Sequence, residues 1–85
     1  MTREIEVERA RAGVLDLLAL RALDATICPS EVARMLTANS GTAWRNAMPV
    51  VHAAVDGLIA AGAVRLSWKG ADLPTRSGPY RIRRA

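Results

Sequence analysis

The clearest pattern of apolar and polar positions lies between Trp44 and Gly62. Apolar residues recur there at intervals of four and three, which places them in one stripe along a helix. They are Trp44, Met48, Val51, Val55 and Leu58. Gly62 follows as the C′ residue that ends the helix, and Pro49 fits the first turn, where proline costs no hydrogen bond. The pattern predicts a helix over 48–61, preceded by a separate short helical turn over 42–47.

Two further helices are predicted upstream. The first covers residues 3–23, and its apolar stripe consists of Val7, Ala10, Val14, Leu17 and Leu18. Nearly every position in its second half is apolar, so we expect that half to be the most buried part of the helix. Pro29 suits the first turn of a second helix over 29–38, which also has apolar residues at the three-four spacing.

Strict alternation of apolar and polar residues predicts two strands after the helices, over 63–69 and 79–84. Two antiparallel strands with one apolar face form a hairpin that leans on the helical core. Thr26 and Ile27 are β-branched and suit a very short third strand. The expected fold is α+β: a winged helix-turn-helix, with three helices followed by a two-stranded β-hairpin wing, in a single domain covering 1–85.

Charge is distributed unevenly along the chain. Residues 1–62 hold six arginines against seven acidic residues, whereas residues 63–85 hold six basic residues against Asp72 alone. The net charge of +4 therefore comes entirely from the last quarter of the chain. A one-sided positive field favours polyanion partners, and a solubilising surface is the alternative explanation.

The composition argues against several functional classes. A single cysteine excludes an internal disulfide, and one Cys with one His cannot supply a Cys/His metal site. The sequence also lacks a glycine-rich phosphate loop and a cluster of carboxylates, so we expect neither an enzyme nor a cofactor. No stretch is apolar enough for a membrane span or a signal peptide, which favours a cytoplasmic protein without a membrane partner.

Several short motifs resemble one known family. They are T-I-C-P-S-E-V-A-R (26–34), W-R-x-x-M-P (44–49), A-A-G (60–62), K-G (69–70) and G-P-x-R-I-R (78–83). Over about residues 12–84 the chain is similar to the DUF3253 family of small bacterial proteins of unknown function. The resemblance implies a winged-helix fold and no established activity. His52 stands where the family is expected to have an arginine, which weakens any argument for a basic recognition helix.

The first functional hypothesis is nucleic-acid binding through the wing. A winged helix can dock its third helix in a groove while basic wing residues neutralise phosphates. The candidate contact residues are Arg45, His52, Arg65, Lys69, Arg76, Arg81, Arg83 and Arg84. The third helix offers few groups that could read bases, and Asp56 would repel phosphate. We therefore expect wing contacts to dominate and sequence preference to be weak.

The alternative hypothesis is a protein-interaction or dimerisation module with no nucleic-acid role, because function does not follow from fold. Ile5 and Val7, in the first turns of the first helix, are candidates for a homodimer contact. The direction of the arginine side chains discriminates the two hypotheses. Pairing with the protein's own acids would favour assembly, whereas a shared exposed face would favour polyanion binding. No small-molecule ligand is indicated.

The aromatic residues, the histidine and the cysteine are each predicted to have a structural role. Trp44 and Trp68 lie on the apolar faces of their elements and are predicted to anchor the core. Tyr80 is predicted to face the core with its hydroxyl at the rim, and His52 to be an ordinary surface side chain. Cys28 follows a buried position and is predicted to be an inert thiol, although a redox role stays open.

Overall fold

The computed structural model describes the backbone of residues 2–85 and the side chains from Glu6 onward. Within these residues there are three α-helices, a short 3-10 helix and a three-stranded antiparallel sheet. The elements are α1 (Thr2–Ala19), α2 (Pro29–Thr37), the 3-10 helix (Trp44–Ala47), α3 (Met48–Ala60), β1 (Val64–Trp68), β2 (Ala71–Leu73) and β3 (Arg81–Arg84). The α+β class expected from the sequence is confirmed.

Helix α1 ends at Ala19, four residues before the end predicted at Leu23. The carbonyl of Leu18 accepts hydrogen bonds from the backbone N–H of Arg21 at 3.1 Å and from Nη2 of Arg84 at 2.6 Å. These donors satisfy the carbonyl without another helical turn. The predicted burial of this end was also wrong, because Leu20 and Leu23 are 77% and 78% exposed.

Local sequence signals mark the start of α2 and the end of α3. The backbone N–H of Cys28, the N-cap of α2, donates to Oε2 of Glu31 at 2.7 Å. At the end of α3, Gly62 has a φ of 73°, and its N–H donates to the carbonyl of Ile59 at 2.9 Å. The N–H of Ala63 donates to the carbonyl of Leu58 at 2.9 Å, which completes a Schellman motif. Gly62 is therefore the C′ residue that the sequence predicted.

The sheet has the strand order β2-β1-β3, and both neighbouring pairs are antiparallel. Strand β2 was not predicted, because the alternating pattern predicted strands over 63–69 and 79–84 only. Lys69 and Gly70 instead form a two-residue turn between the paired residues Trp68 and Ala71. Both turn residues have positive φ values, 52° and 82°, as the tight turns that suit a twisted hairpin require.

A short bridge adds the segment before α2 to the sheet. Ile27 pairs with Ile82 of β3, and the two residues exchange backbone hydrogen bonds of 2.8 and 2.9 Å. The predicted stub strand near Thr26 and Ile27 is therefore present as a single isolated bridge.

One hydrophobic core joins the inner faces of the helices and the sheet. Its members are Val14, Leu18, Ile27, Val32, Ala33, Val51, Val55, Leu58, Val64, Leu66, Tyr80 and Ile82. Trp44 is half-buried and packs against this core from its edge. Trp68, by contrast, was wrongly predicted as a core anchor. It is 39% exposed because it lies at the hairpin end of β1.

Candidate nucleic-acid interface

Alternation along the strands gives the sheet one polar face. Leu66 and Ile82 are paired and buried on the inner side, so their strand neighbours lie on the outer side. The outer residues include Arg65 on β1, Arg81 and Arg83 on β3, and Asp72 on β2. We call Arg65, Arg81 and Arg83, together with Asp72, the basic sheet face.

Two arginines of the basic sheet face lie directly opposite each other. Arg65 and Arg83 are register partners in the β1–β3 pair. Like charges at directly opposite positions destabilise a sheet. Arg65 forms an exposed ion pair with Asp72 at 3.2 Å. The Nε of Arg83 is buried without a hydrogen-bond partner among the described residues.

Arg81 and Arg84 are held by uncharged acceptors. Nε of Arg81 donates to the hydroxyl of Thr26 at 2.6 Å, and its Nη2 donates to the carbonyl of the same residue at 3.2 Å. Arg84 donates to the carbonyl of Leu18, as described above. These bonds fix the two guanidinium groups without neutralising their charge. Each group has five N–H donors, so further donors remain for a ligand.

Arg76 is committed to a carboxylate. Its Nε and Nη2 donate to the two oxygens of Asp56 at 2.9 and 3.0 Å, a bidentate pair that ties the segment before β3 to α3. The hydrogen bond from Arg76 lowers the pKa of the Asp56 carboxyl. The pair is net neutral, so of the predicted contact residues Arg76 adds little to the positive field.

His52 is half-buried and hydrogen-bonded, which corrects the prediction of an ordinary surface side chain. Its Nδ1 lies 2.7 Å from the hydroxyl of Tyr80, which is 4% exposed. Burial, followed by the charge of Arg76, lowers the pKa of His52 below 6.5, against a smaller opposing effect of Asp56. Burial also raises the pKa of Tyr80 to about 12. Tyr80 faces the core, as predicted, and its hydroxyl contacts His52 of α3.

The lowered pKa of His52 predicts a loss of stability in mild acid. The folded protein keeps the imidazole neutral at pH values where the unfolded chain protonates it. The contribution of His52 to the free energy of unfolding is therefore fully present above about pH 6.5, and it is lost as the pH falls below that value. His52→Gln should have a smaller difference in melting temperature between about pH 7 and about pH 5 than the wild type. Equal differences in thermal scans of the two proteins would contradict the assignment.

Two predicted contact residues, Lys69 and Arg45, are exposed and lack a carboxylate partner among the described residues. Lys69 lies at the tip of the β1–β2 turn. The guanidinium carbon of Arg45 lies 4.5 Å from the ring centroid of Trp44. The guanidinium carbon of Arg34 lies 4.8 Å from the same centroid. Arg34 was not among the predicted contact residues. A signal was present in the sequence, because no acidic residue that could neutralise Arg34 and Arg45 occurs between Glu31 and Asp56.

The outermost row of α3 has little capacity to read bases. By helical spacing it consists of Pro49, Ala53, Asp56 and Ala60. The one charged side chain in this row is that of Asp56, which is ion-paired with Arg76. His52, a predicted contact residue on this helix, has one ring nitrogen in contact with the hydroxyl of Tyr80. The structure thus brings the basic residues together on the sheet and at the start of α3, and not along the exposed face of α3.

None of the helices in the described part of the chain combines the length and the apolar character that crossing a membrane requires. Among the side chains from Glu6 onward, no group of three or more His, Cys, Asp or Glu residues is placed to hold a metal ion.

The chain is thus a small α+β protein in which a three-stranded sheet presents arginines on its outer face. Comparison with protein families matches residues 7–85 to DUF3253, described as a protein of unknown function. The chain therefore belongs to the DUF3253 family, and the resemblance noted in the sequence is confirmed over nearly its whole length. No curated protein matches the chain.

Proposed function

We propose that the chain is a winged-helix domain that binds nucleic acid with weak sequence preference. The winged-helix assignment is supported by the element order, in which three helices precede the β1–β3 pair. It is also supported by the position of Ile27, which adds the segment between α1 and α2 to the edge of the sheet beside β3. The wing was predicted as a hairpin of strands 63–69 and 79–84, but β2 lies between these strands in the chain and forms the hairpin with β1. In this proposal the hairpin of β1 and β2 serves as the wing, with Lys69 at its tip.

The observation that carries the nucleic-acid proposal is the composition of the basic sheet face. Three arginines share this face with one acidic residue, and Arg83 has a buried Nε without a partner in the described structure. The register places Arg65 and Arg83 together at a cost in stability, since like charges repel across a strand pair. A phosphate lying across the two guanidinium groups on the outer face would offset this repulsion.

Weak sequence preference follows from the surface of α3. Base discrimination in the major groove depends on hydrogen-bond donors and acceptors at the exposed positions of a helix. The outer row of α3 offers small side chains and one carboxylate that is already paired. Contacts to phosphate position a protein on the duplex but carry no sequence information.

A second candidate function is protein interaction, and a different surface favours it. Leu15 is 44% exposed, and Leu20 and Leu23 are more exposed still, so apolar area faces solvent around the end of α1. The homodimer contact proposed for the start of α1 is less well supported. Val7 is half-buried, and the side chain of Ile5 lies outside the described residues.

The test is binding of mixed-sequence duplex DNA, followed by fluorescence anisotropy. The affinity of the wild-type protein should fall at least about tenfold between about 50 and 200 mM salt, because phosphate contacts release counterions. The double variant Lys69→Asn/Arg83→Gln should bind more weakly and with a smaller salt dependence. Asn suits the positive φ of the Lys69 position, so this change removes charge while keeping the turn.

The control variant is Leu20→Ser/Leu23→Ser, which alters the exposed apolar area and leaves the charge unchanged. It should bind DNA as the wild type does, and light scattering should reveal any loss of self-association. Superimposable DNA-binding curves for the wild type and Lys69→Asn/Arg83→Gln at both salt concentrations would contradict the proposed function.

A further inference from the structure

A second cationic site lies outside the sheet, where α2 meets the start of α3. The guanidinium groups of Arg34 and Arg45 both lie against the indole of Trp44, at 4.8 and 4.5 Å from its centroid. Such cation–π contacts hold the charged groups in place at an exposed position. We call these three residues the arginine–tryptophan stack.

Among the described side chains, no carboxylate forms an ion pair with either arginine of the stack. The ion pairs of the described side chains engage Arg11, Arg21, Arg65 and Arg76. Neither arginine of the stack takes part in one. The nearest acidic residues along the chain are Glu31 and Asp56, and both are committed, to Arg21 and Arg76 respectively. Two like charges on one indole repel each other, and a shared anion would convert this repulsion into binding energy.

The surroundings of the stack suit a phosphate backbone. The segment between α2 and the 3-10 helix, residues 38–43, is exposed and uncharged, and it contains Asn39, Ser40 and Thr42. The side chains of Asn39 and Thr42 can donate hydrogen bonds to phosphate oxygens, whereas the hydroxyl of Ser40 already donates to the carbonyl of Thr37 at 3.1 Å. Arginine binds phosphate through two parallel N–H groups. The guanidinium carbons already lie against the indole of Trp44, so less side-chain entropy is lost on binding.

We infer that the arginine–tryptophan stack is a phosphate-binding site of its own, at which Arg34 and Arg45 contact the backbone of a bound nucleic acid. The inference rests on the proposed function and adds a contact that the basic sheet face does not provide. Arg45 was among the residues predicted from the sequence, and Arg34 was not.

The experiment uses the emission of Trp44, measured in a Trp68→Phe background that leaves a single tryptophan. Titration with mixed-sequence duplex DNA should change this emission as the guanidinium groups move onto phosphate. Arg34→Gln/Arg45→Gln should weaken binding about tenfold at low salt and lower the salt dependence by about two phosphate contacts. Arg11→Gln serves as the matched control, because it removes one arginine charge on α1 that is already paired with Glu8.

Circular dichroism of each variant checks the fold, and Arg34→Lys/Arg45→Lys provides a second variant that keeps the charge but loses the planar stacking. Intermediate affinity of the lysine variant supports the inference. Wild-type affinity and salt dependence in the glutamine variant, with clear binding by the wild type, overturn the inference and leave the proposed function standing. Absence of DNA binding by the wild type overturns both. A parallel titration with polyglutamate tests an acidic protein partner. If Arg34→Gln/Arg45→Gln loses affinity for polyglutamate but binds DNA as the wild type does, the inference is overturned in favour of such a partner.

Discussion

Ile82→Ala should lower the free energy of unfolding by about 2–5 kcal/mol, the usual cost of removing a large buried aliphatic side chain. Ile82 is fully buried, and it is the residue at which the sheet meets the bridge from the segment before α2. Its register partner on β1 is Leu66, which is also buried. For a domain of this size the loss corresponds to a fall in melting temperature of at least about 10 °C.

The control for this prediction is Leu20→Ala. Leu20 is 77% exposed, so its truncation removes little buried area and should change the stability by no more than about 0.5 kcal/mol. Thermal and urea unfolding followed by circular dichroism measure both variants. A small effect of Ile82→Ala, or a large effect of Leu20→Ala, would contradict the description of the core and of the end of α1.

Trp44→Ala should cost about 2–4 kcal/mol of stability. The cost falls at the lower end for a large aromatic residue because Trp44 is half-buried at the edge of the core. Truncation removes the packing of the indole between α2 and α3 and both cation–π contacts. Trp44→Phe keeps an aromatic ring in the same place and should retain most of the stability.

The measurement is the midpoint of urea unfolding followed by circular dichroism, which does not depend on tryptophan emission. A midpoint for Trp44→Ala equal to that of the wild type would show that the ring contributes nothing to the core. The arginine–tryptophan stack would then lack the rigid base on which the phosphate-binding inference depends.

The helical part of the fold could be predicted where its signals are local. Helix α3 ends with the glycine-dependent Schellman motif at Gly62, and α2 begins with Pro29 at its first position. The end of α1 could not be predicted in the same way. Its last carbonyl groups are satisfied in part by Arg84, a residue far away in the sequence, and no local signal indicates that contact.

The extra strand β2 was missed because its turn uses an unusual sequence. Hairpin turns of this type favour Asn-Gly or Asp-Gly, and a lysine at positive φ gives no such signal. Trp68 was misplaced for a related reason. Alternation assigns a residue to a face of the sheet but does not tell whether the helices extend far enough to cover it.

The basic character of the candidate site could be predicted from the sequence, but the partners of each arginine could not. The excess charge of residues 63–85 is visible in the composition. The bonds from Arg76 to Asp56 and from Arg81 to Thr26 depend on tertiary packing between distant segments. An arginine that is already ion-paired contributes less to binding than one with free donors. The structure therefore reduces the expected contribution of Arg76 among the predicted contact residues.

The most direct measurement of the account is backbone-amide NMR of the labelled protein during titration with mixed-sequence duplex DNA at low salt. We expect salt-sensitive shift changes in residues 34–46 and 65–83, with the end of α1 around Leu20 and Leu23 unaffected. Shift changes confined to the end of α1, or a spectrum that DNA leaves unchanged, would contradict a nucleic-acid interface on the basic surfaces.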